Sequence, residues 1–221
     1  IDDLDSVSYP SKFVVPFAGA VHDRIMLEIM RGCVRGCRFC QAGFIYRPFR
    51  QKKPETLIDQ AITLVENTGY EEISLTSLST SDYEELPKLC DGLLEYCKPR
   101  RINLAVPSLR VDNFSKELLS KIQETRKSGL TFAPEAGTQR LRDVINKNVT
   151  EADILRAAGV AFRAGKNQVK LYFMNGLPYE TDEDIKGIAA LAKSVIAEYY
   201  RTDTGGGKKR PPPLLFCFNI V

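Results

Sequence analysis

Three cysteines within eight residues of the sequence are the side chains best suited to chemistry. They occur in the run RGCVRGCRFC at positions 31–40, where Cys33, Cys37 and Cys40 are spaced as C-x3-C-x2-C. Thiolates this close in one loop converge on a metal more readily than they pair as disulfides. The two glycines of the run allow the tight turns that convergence needs. The spacing therefore predicts a metal centre.

The number of cysteines distinguishes between kinds of metal site. An ordinary ferredoxin cluster and a structural zinc site each take four ligands, and neither a fourth cysteine nor a histidine lies close to this run. A four-iron cluster on three thiolates would keep one iron open to a small chelating molecule, to which it could pass an electron. The alternative is a zinc site completed by His22 or by a distant cysteine. We interpret Cys90, Cys97 and Cys217 as core thiols.

Charged and aromatic neighbours accompany the three cysteines. We expect Arg31, Arg35 and Arg38 to offset the negative charge of a thiolate-bound cluster. Phe39 lies between the last two cysteines and is expected to shield the cluster from water.

Apolar strands and amphipathic helices alternate along the chain and must position this loop. The first predicted strand directly precedes the cysteines. In a parallel sheet the site is expected at the carboxyl ends of the strands, in either a partly closed barrel or a doubly wound sheet. The predicted strands are 25–30, 72–76, 101–106, 130–133, 168–174 and 214–220. The predicted helices are 54–68, 83–96, 112–125, 138–145, 150–164 and 181–200.

Composition bounds the class of protein. The chain has 221 residues, 43% of them hydrophobic and 27% charged, which excludes disorder and collagen-like repeats. A net charge of +3 is too small to argue for nucleic acid. One histidine weakens any Ser-His-Asp mechanism. We expect no signal peptide, because the chain opens with the acidic Asp2, Asp3 and Asp5, and no membrane span, because no apolar run reaches about 18 residues. Reduced thiols then predict a cytoplasmic protein.

The ends of the chain suggest its organisation. Residues 1–20 are acidic and proline-bearing and are expected to be an N-terminal linker to a core domain over 21–221. The chain opens on Ile1 and stops inside an apolar run. We therefore expect it to be a piece of a longer protein whose flanking domains are missing here.

The cysteine motif, read as C-x3-C-x-aromatic-C, resembles the signature of the radical S-adenosylmethionine (SAM) superfamily. The stretch from Glu28 to Gly43 is similar to the methylthiotransferases and to relatives with a cobalamin-binding-like region before the radical domain. The resemblance implies an α/β fold, a partial (β/α)6 TIM-type barrel with a parallel sheet. It also implies a [4Fe–4S] cluster on Cys33, Cys37 and Cys40, with SAM bound to the open iron.

The resemblance further implies what the cofactors do. An electron would cleave SAM to methionine and a 5′-deoxyadenosyl radical, which abstracts hydrogen from an unknown substrate, RNA and protein being the candidates. The electron would come from a reductant such as flavodoxin or ferredoxin. Cobalamin would join if the full-length protein binds it.

The resemblance also assigns SAM-binding positions at the later strand ends. Ser77-Leu78-Ser79 stands where the family has a Gly-Gly-Glu-like segment, so the contact there would come from backbone groups. Glu135 is expected to bind the ribose or amino group, and Lys147 the methionine carboxylate. The complete predicted set is Phe39, Ser77, Leu78, Ser79, Ser108, Arg110, Glu135, Gly137, Lys147, Gly176 and Leu177.

Two alternatives stay open from the sequence. The cluster could serve a non-enzymatic electron-transfer or sensing module that ignores SAM. The basic stretch Arg47, Arg50, Lys52 and Lys53 is either a solvated face or a surface for RNA or a phosphorylated substrate. The Gly-, Lys- and Pro-rich loop over 202–213 is expected to lie at the surface.

Overall fold

The computed structural model describes residues 3–107, 110–112, 130–166 and 168–202, and the backbone of 214–220. In chain order the elements are β1 (Ile25–Glu28), β2 (Met30–Arg31), α1 (Ala42–Ile45), β3 (Arg50–Gln51), α2 (Pro54–Thr68), β4 (Glu72–Thr76), α3 (Leu86–Arg100), β5 (Asn103–Ala105), β6 (Leu130–Glu135), α4 (Gln139–Val144), α5 (Glu151–Arg163), β7 (Val169–Asn175), α6 (Asp182–Arg201) and β8 (Leu214–Ile220).

The described residues form two compact units. The first unit contains residues 3–35 and 42–107, and the second contains 36–41, 110–112, 130–166, 168–202 and 214–220. The cysteine run is therefore shared: Cys33 belongs to the first unit, and Cys37 and Cys40 belong to the second.

The first unit is built on a parallel sheet with the strand order β1-β4-β5. Glu28 at the end of β1 is in register with Thr76 at the end of β4. Side chains alternate along β1, where Ile25 and Leu27 are fully buried while Met26 is 41% exposed. The period of two places Ile25 and Leu27 on one face of the sheet and Met26 on the other.

Two helices cover the buried face of this sheet. Helix α2 begins with Pro54 in its first turn and ends at Thr68, and Gly69 caps it with a left-handed φ of 72°. It buries Leu57, Ala61 and Leu64, three and four residues apart. Helix α3 packs against α2.

The second unit is built on another parallel sheet, with the order β6-β7-β8. The register of β6 against β7 shifts between Phe132 and Glu135. Helices α5 and α6 pack together over a core that includes Phe132, Phe162, Leu171, Phe173 and Val195. Capping boxes begin both helices, Thr150 with Asp153 for α5 and Thr181 with Asp184 for α6.

Most predicted elements are confirmed, and several differ. Bounds agree for α2, β4 and β8. The first strand breaks at Ile29, and β2 then pairs antiparallel with β3, a pairing that sequence periodicity did not predict. The helix predicted from residue 83 begins at Leu86, after a 3₁₀ turn over Thr80–Asp82. The helix predicted over 112–125 lies outside the described residues, except for its first position.

The predicted linker has no helix or strand over residues 3–20, yet parts of it pack. Leu4 is buried, and the Tyr9 hydroxyl donates to the Met26 carbonyl oxygen at 2.6 Å. Among the helices of the described ranges, none combines the length and apolar character needed to cross a membrane.

Candidate active site

The cysteine loop leaves β2 through Gly32, where the backbone is crowded. Gly32 has a φ of +85°, and a Cβ there would lie 2.7 Å from the Tyr46 carbonyl oxygen and 3.0 Å from that of Pro48. Only glycine fits both the left-handed conformation and this close approach. The hairpin of β2 and β3 brings residues 46–49 to this place and so fixes where the loop begins.

The three arginines of the loop have protein partners. Arg31 donates to both carboxylate oxygens of Glu28, at 2.9 and 2.7 Å. These hydrogen bonds are the main reason that the pKa of Glu28 is lowered. Arg35 forms a two-point contact with Asp82, with its Nε 2.8 Å from Oδ2. The charges of Arg31 and Arg35 are thus balanced by carboxylates, which differs from the expectation that they serve a cluster.

Backbone groups of the segment after α4 hold the other half of the loop. The Arg38 amide donates to the Ile145 carbonyl oxygen at 2.9 Å, and the Arg38 guanidinium donates to that of Val144. The Asn146 side-chain amide donates to the Gly36 carbonyl oxygen at 2.7 Å. Asn146 itself has a φ of +54°, a conformation that asparagine tolerates better than most residues.

The donor chemistry of the loop fits an iron–sulfur cluster. Cys33, Cys37 and Cys40 are thiols, and the Cys33 sulfur accepts a hydrogen bond from the Arg35 amide at 3.4 Å. Such amide–sulfur bonds stabilise thiolate ligands. Among the described residues, no group of three or more His, Cys, Asp or Glu side chains is gathered as a metal site. The ligand set therefore stays a prediction.

The two cysteines of α3 are core residues, as predicted. Cys90 and Cys97 are both fully buried. Burial raises the pKa of the Cys97 thiol to about 11. The Cys217 side chain is outside the described part of the chain.

Four of the predicted SAM-binding residues meet in the second unit. Lys147 Nζ lies 3.0 Å from Glu135 Oε1, and both side chains are largely buried. The same ammonium lies 5.7 Å from the centre of the Phe39 ring. Arg110 donates to the Lys147 carbonyl oxygen at 3.0 Å and pairs with Asp112 at 2.9 Å. An ion pair beside the loop's aromatic residue is thus part of this unit.

Glu135 is presented by an unusual backbone. Its φ is +67°, a strained value for a residue with a side chain, at the point where β6 shifts register. The buried Arg142 donates to the carbonyl oxygens of Ala136 at 3.0 Å, Gly137 at 3.3 Å and Val149 at 3.1 Å. Burial lowers the pKa of Arg142. This guanidinium holds the loop that carries Glu135.

Gly137 has a packing reason to be glycine. A Cβ there would lie 2.5 Å from the Asp184 carbonyl oxygen and would also collide with the backbone of Ile188 in α6. The close approach is thus to a helix of the same unit. A backbone contact from Gly137 to SAM stays a prediction.

An apolar cavity of about 300 Å³ adjoins Phe39. Gly176 has a φ of +88° and donates its amide to Glu180 at 2.8 Å, and this turn places Leu177 at the cavity. Phe39 and Leu177 pack in one cluster with Ala136, Leu141 and Ile145. The remaining lining is Arg38, Val144, Ile145, Pro178 and Tyr179.

The first unit has a cavity of its own, of about 370 Å³, at the ends of β1 and β4. Ser77 and Leu78 line it with Glu28, Gly32 and Tyr46. The Ser77 hydroxyl is hydrogen-bonded to Thr80 at 2.8 Å, and Ser79 donates to Asp82 at 2.7 Å. The hydroxyl oxygen of Thr76 is buried there without a hydrogen-bond partner.

Some residues that contact the predicted site residues were not predicted from the sequence, and one predicted residue is not described by the structure. Ser108 lies outside the described residues. Glu28, Asp112 and Asn146 were not predicted, although an asparagine directly after a helix is a signal for a left-handed cap. Asn146 donates to Gly36, 110 residues earlier, whereas Glu28 and Asp112 pair with arginines only three and two residues away.

Two curated proteins are similar in sequence to most of this chain. An uncharacterized protein of Methanocaldococcus jannaschii is 37% identical over 195 residues, which cover 88% of this chain and 42% of that protein. The threonylcarbamoyladenosine tRNA methylthiotransferase of Treponema pallidum is 25% identical over 179 residues, 79% of this chain and 37% of that enzyme. The chain spans about two fifths of the length of these curated relatives.

A solved structure shares the fold. A radical SAM methyltransferase of Kitasatospora setae, solved with cobalamin and a [4Fe–4S] cluster, superposes with a TM-score of 0.62 at 13% identity. The match covers 77% of this chain and 34% of that one. The likeness confirms the predicted fold class.

The family itself is settled by a match over most of the chain. Residues 27–192 match the sequence model of the Radical SAM superfamily, and they include all three cysteines of the loop. The match confirms the predicted enzyme class and its cofactor pair, a [4Fe–4S] cluster and SAM. The chain belongs to the radical SAM superfamily.

Proposed function

We propose that this protein reductively cleaves SAM at a cluster held by Cys33, Cys37 and Cys40. The observation that carries the proposal is the Glu135–Lys147 ion pair, 3.0 Å long, beside Phe39 of the cysteine loop. The cluster would supply the electron that cleaves SAM to methionine and a 5′-deoxyadenosyl radical. The side chains described above bind and orient the cofactor.

Opposite charges suit the two ends of the methionine part of SAM. The Lys147 ammonium is suited to a carboxylate, and the Glu135 carboxylate is suited to an ammonium or to ribose hydroxyls. In this structure the two side chains pair with each other, so neither charge is buried alone. SAM would exchange this pair for two charge-assisted bonds of its own.

Apolar surface suits the adenine. The cavity between Phe39 and Leu177 offers flat, water-excluding contacts. The backbone groups proposed to add polar contacts are those of Leu177, of its neighbour Gly176, and of Gly137, which follows Ala136 in the same apolar cluster. In the first unit, Ser77, Leu78 and Ser79 are proposed to contact SAM through their backbone groups. Arg110 would act by holding the Lys147 backbone.

The wider reaction is proposed more coarsely. The radical would abstract hydrogen from an RNA, which the tRNA methylthiotransferase relative suggests, or from a protein. Flavodoxin or ferredoxin would supply the electron, and cobalamin would take part if the full-length protein binds it. Thiols that must stay reduced favour the cytoplasm.

The test is anaerobic reconstitution with iron and sulfide, followed by dithionite and SAM. We expect 5′-deoxyadenosine by mass spectrometry, and none after Cys37→Ser. Lys147→Met should weaken SAM binding about tenfold to a hundredfold, the loss of one charge-assisted hydrogen bond.

A matched control is the exposed pair of Lys186 and Glu183, 2.7 Å apart on α6. Lys186→Met should leave SAM binding unchanged. An intact cluster that yields no 5′-deoxyadenosine would instead support the non-enzymatic electron-transfer module.

A further inference from the structure

Four consecutive residues directly after the cysteine loop are exposed although three of them are large and apolar. Phe44 is 50% exposed, Ile45 is 63% exposed and Tyr46 is 50% exposed, and Arg47 follows them at the surface. We call these four residues the 44–47 patch. Adjacent apolar side chains that face water mark interaction surfaces more often than they serve folding.

Contacts within the segment order the patch. The Arg47 guanidinium lies 4.6 Å from the centre of the Phe44 ring, and its Nε donates to the Gly43 carbonyl oxygen at 3.0 Å. The Tyr46 amide donates to the Ala42 carbonyl oxygen at 3.2 Å. A rigid aromatic and arginine surface loses little entropy on binding, and these residue types dominate binding energy at protein interfaces.

The charge of this segment has one sign. Residues 41–54 contain four cations, Arg47, Arg50, Lys52 and Lys53, and neither Asp nor Glu. Lys52 is buried, whereas Arg47 and Lys53 are at the surface. A partner with an acidic face therefore fits, because opposite charges steer encounter and select the partner.

The patch is also next to the metal-binding loop. The carbonyl oxygens of Tyr46 and Pro48 pack on Gly32, the residue before Cys33, closely enough that a Cβ would lie 2.7 and 3.0 Å from them. Tyr46 lines the same cavity as Gly32 and Leu78. A protein seated on the patch would be adjacent to the start of the loop.

We infer that the 44–47 patch docks the acidic electron-carrier protein that reduces the cluster. The inference rests on the proposed function and assigns a surface to its electron supply. In the step, a reduced flavodoxin loses one electron and passes from hydroquinone to semiquinone. The cluster gains that electron, and no atom is transferred. The patch itself holds one cation, Arg47, and so offers few phosphate contacts, which favours this partner over RNA.

The test compares two reductants on two patch variants, Ile45→Asp and Arg47→Glu. Neither residue is assigned to SAM binding. With reduced flavodoxin, each variant should raise the flavodoxin concentration for half-maximal 5′-deoxyadenosine formation about tenfold. With dithionite, which needs no docking, rates should equal those of the unaltered protein. Lys193→Glu, the same charge change at an exposed position of α6, should behave as the unaltered protein in both assays.

Direct binding gives a second readout that does not need turnover. Calorimetric titration of flavodoxin into the cluster-free protein should show affinity that falls with salt and falls about tenfold in both variants. Unchanged affinity and unchanged flavodoxin dependence would overturn the inference. Equal losses with dithionite would also overturn it, since the patch would then serve the fold or SAM. If both variants bound RNA more weakly than the unaltered protein but bound flavodoxin equally well, the patch would be assigned to RNA.

The two proposals fail differently. If the unaltered protein makes no 5′-deoxyadenosine with dithionite, the proposed function fails. The titration with flavodoxin still decides whether the patch binds an acidic electron carrier.

Discussion

Asp184 shows how one buried carboxylate joins two parts of the second unit. Its side chain is 1% exposed and accepts hydrogen bonds from Arg140 and the Thr138 hydroxyl near the start of α4. It also accepts from the Thr181 amide at 2.9 Å and from the Thr181 hydroxyl at 2.7 Å. Burial alone would raise the pKa of Asp184, but these bonds outweigh burial and hold the pKa well below its usual range.

The lowered pKa makes stability depend on pH. A depressed pKa means that the folded state prefers the carboxylate, so the stabilisation is present above the unfolded-state pKa of about 3.9. It is lost as pH falls below that value toward the folded-state pKa. We expect Asp184→Asn to lower the free energy of unfolding by about 2–3 kcal/mol at pH 7. The difference from the unaltered protein should shrink below pH 4.

Urea unfolding between pH 3 and pH 8 checks this prediction. Asp153→Asn is the control, because Asp153 has the same place in the capping box of α5 but is 19% exposed. Asp153→Asn should lower the free energy of unfolding by about 1 kcal/mol at pH 7. A difference for Asp184→Asn that does not vary with pH would contradict the assignment.

At the scale of elements, the hairpin of β2 and β3 determines where the cysteine loop begins. Gly32→Ala would place a methyl group against the carbonyl oxygens of Tyr46 and Pro48. The loop must then shift, and we expect the iron content after reconstitution to fall by at least half.

Gly165→Ala separates crowding from backbone strain. Gly165 has a similar φ of +83° but no atom within 4 Å of its added Cβ. Gly165→Ala should lower the free energy of unfolding by about 1 kcal/mol and leave the iron content unchanged. Iron assays on both variants, with circular dichroism as a check of folding, test the prediction. Equal iron in both variants would argue against the crowding.

Elements whose signals are local were predictable from the sequence, and those set by distant partners were not. The predicted starts of α5 and α6, at residues 150 and 181, agree with the structure because each helix begins with a capping box whose two residues are only three positions apart. The helix predicted from residue 83 begins later, after a 3₁₀ turn whose last residue, Asp82, accepts from Arg35, 47 residues earlier. A contact over that distance leaves no local signal in the sequence.

The site follows the same division. Glu135 and Lys147 were predicted from the family resemblance, and the structure brings them together. Asn146 was missed because its partner, Gly36, is 110 residues away in the sequence. The 44–47 patch has no periodic pattern that would reveal it in the sequence. Its place beside the loop follows from the packing of this segment on Gly32, which only the structure shows.

At the scale of the whole molecule, the described cysteines differ in exposure, and Cys37, 8% exposed, is intermediate between the other two loop thiols and the core thiols. Cys33 and Cys40 are partly exposed, whereas Cys90 and Cys97 are fully buried. In metal-free protein carrying Cys217→Ser, we expect iodoacetamide at pH 8 to modify Cys33 and Cys40 first, with Cys37 slower.

Burial keeps the α3 thiols from reacting. With a pKa of about 11, the Cys97 thiol is ionised only about one part in a thousand at pH 8. Cys90 and Cys97 should therefore react only after unfolding in urea. Peptide mapping by mass spectrometry measures each site, and early labelling of Cys97 would contradict the burial described for α3.

The close approach of Gly137 to α6 has a mechanical consequence. A Cβ on Gly137 would meet backbone atoms of Asp184 and Gly187, and one on Gly187 would lie 2.6 Å from Thr138. No side chain of Gly137 or Gly187 separates the turn after Glu135 from the first turns of α6. We therefore expect the two segments to move together. A cofactor that moved Glu135 away from Lys147 would thus also displace the 20-residue helix α6.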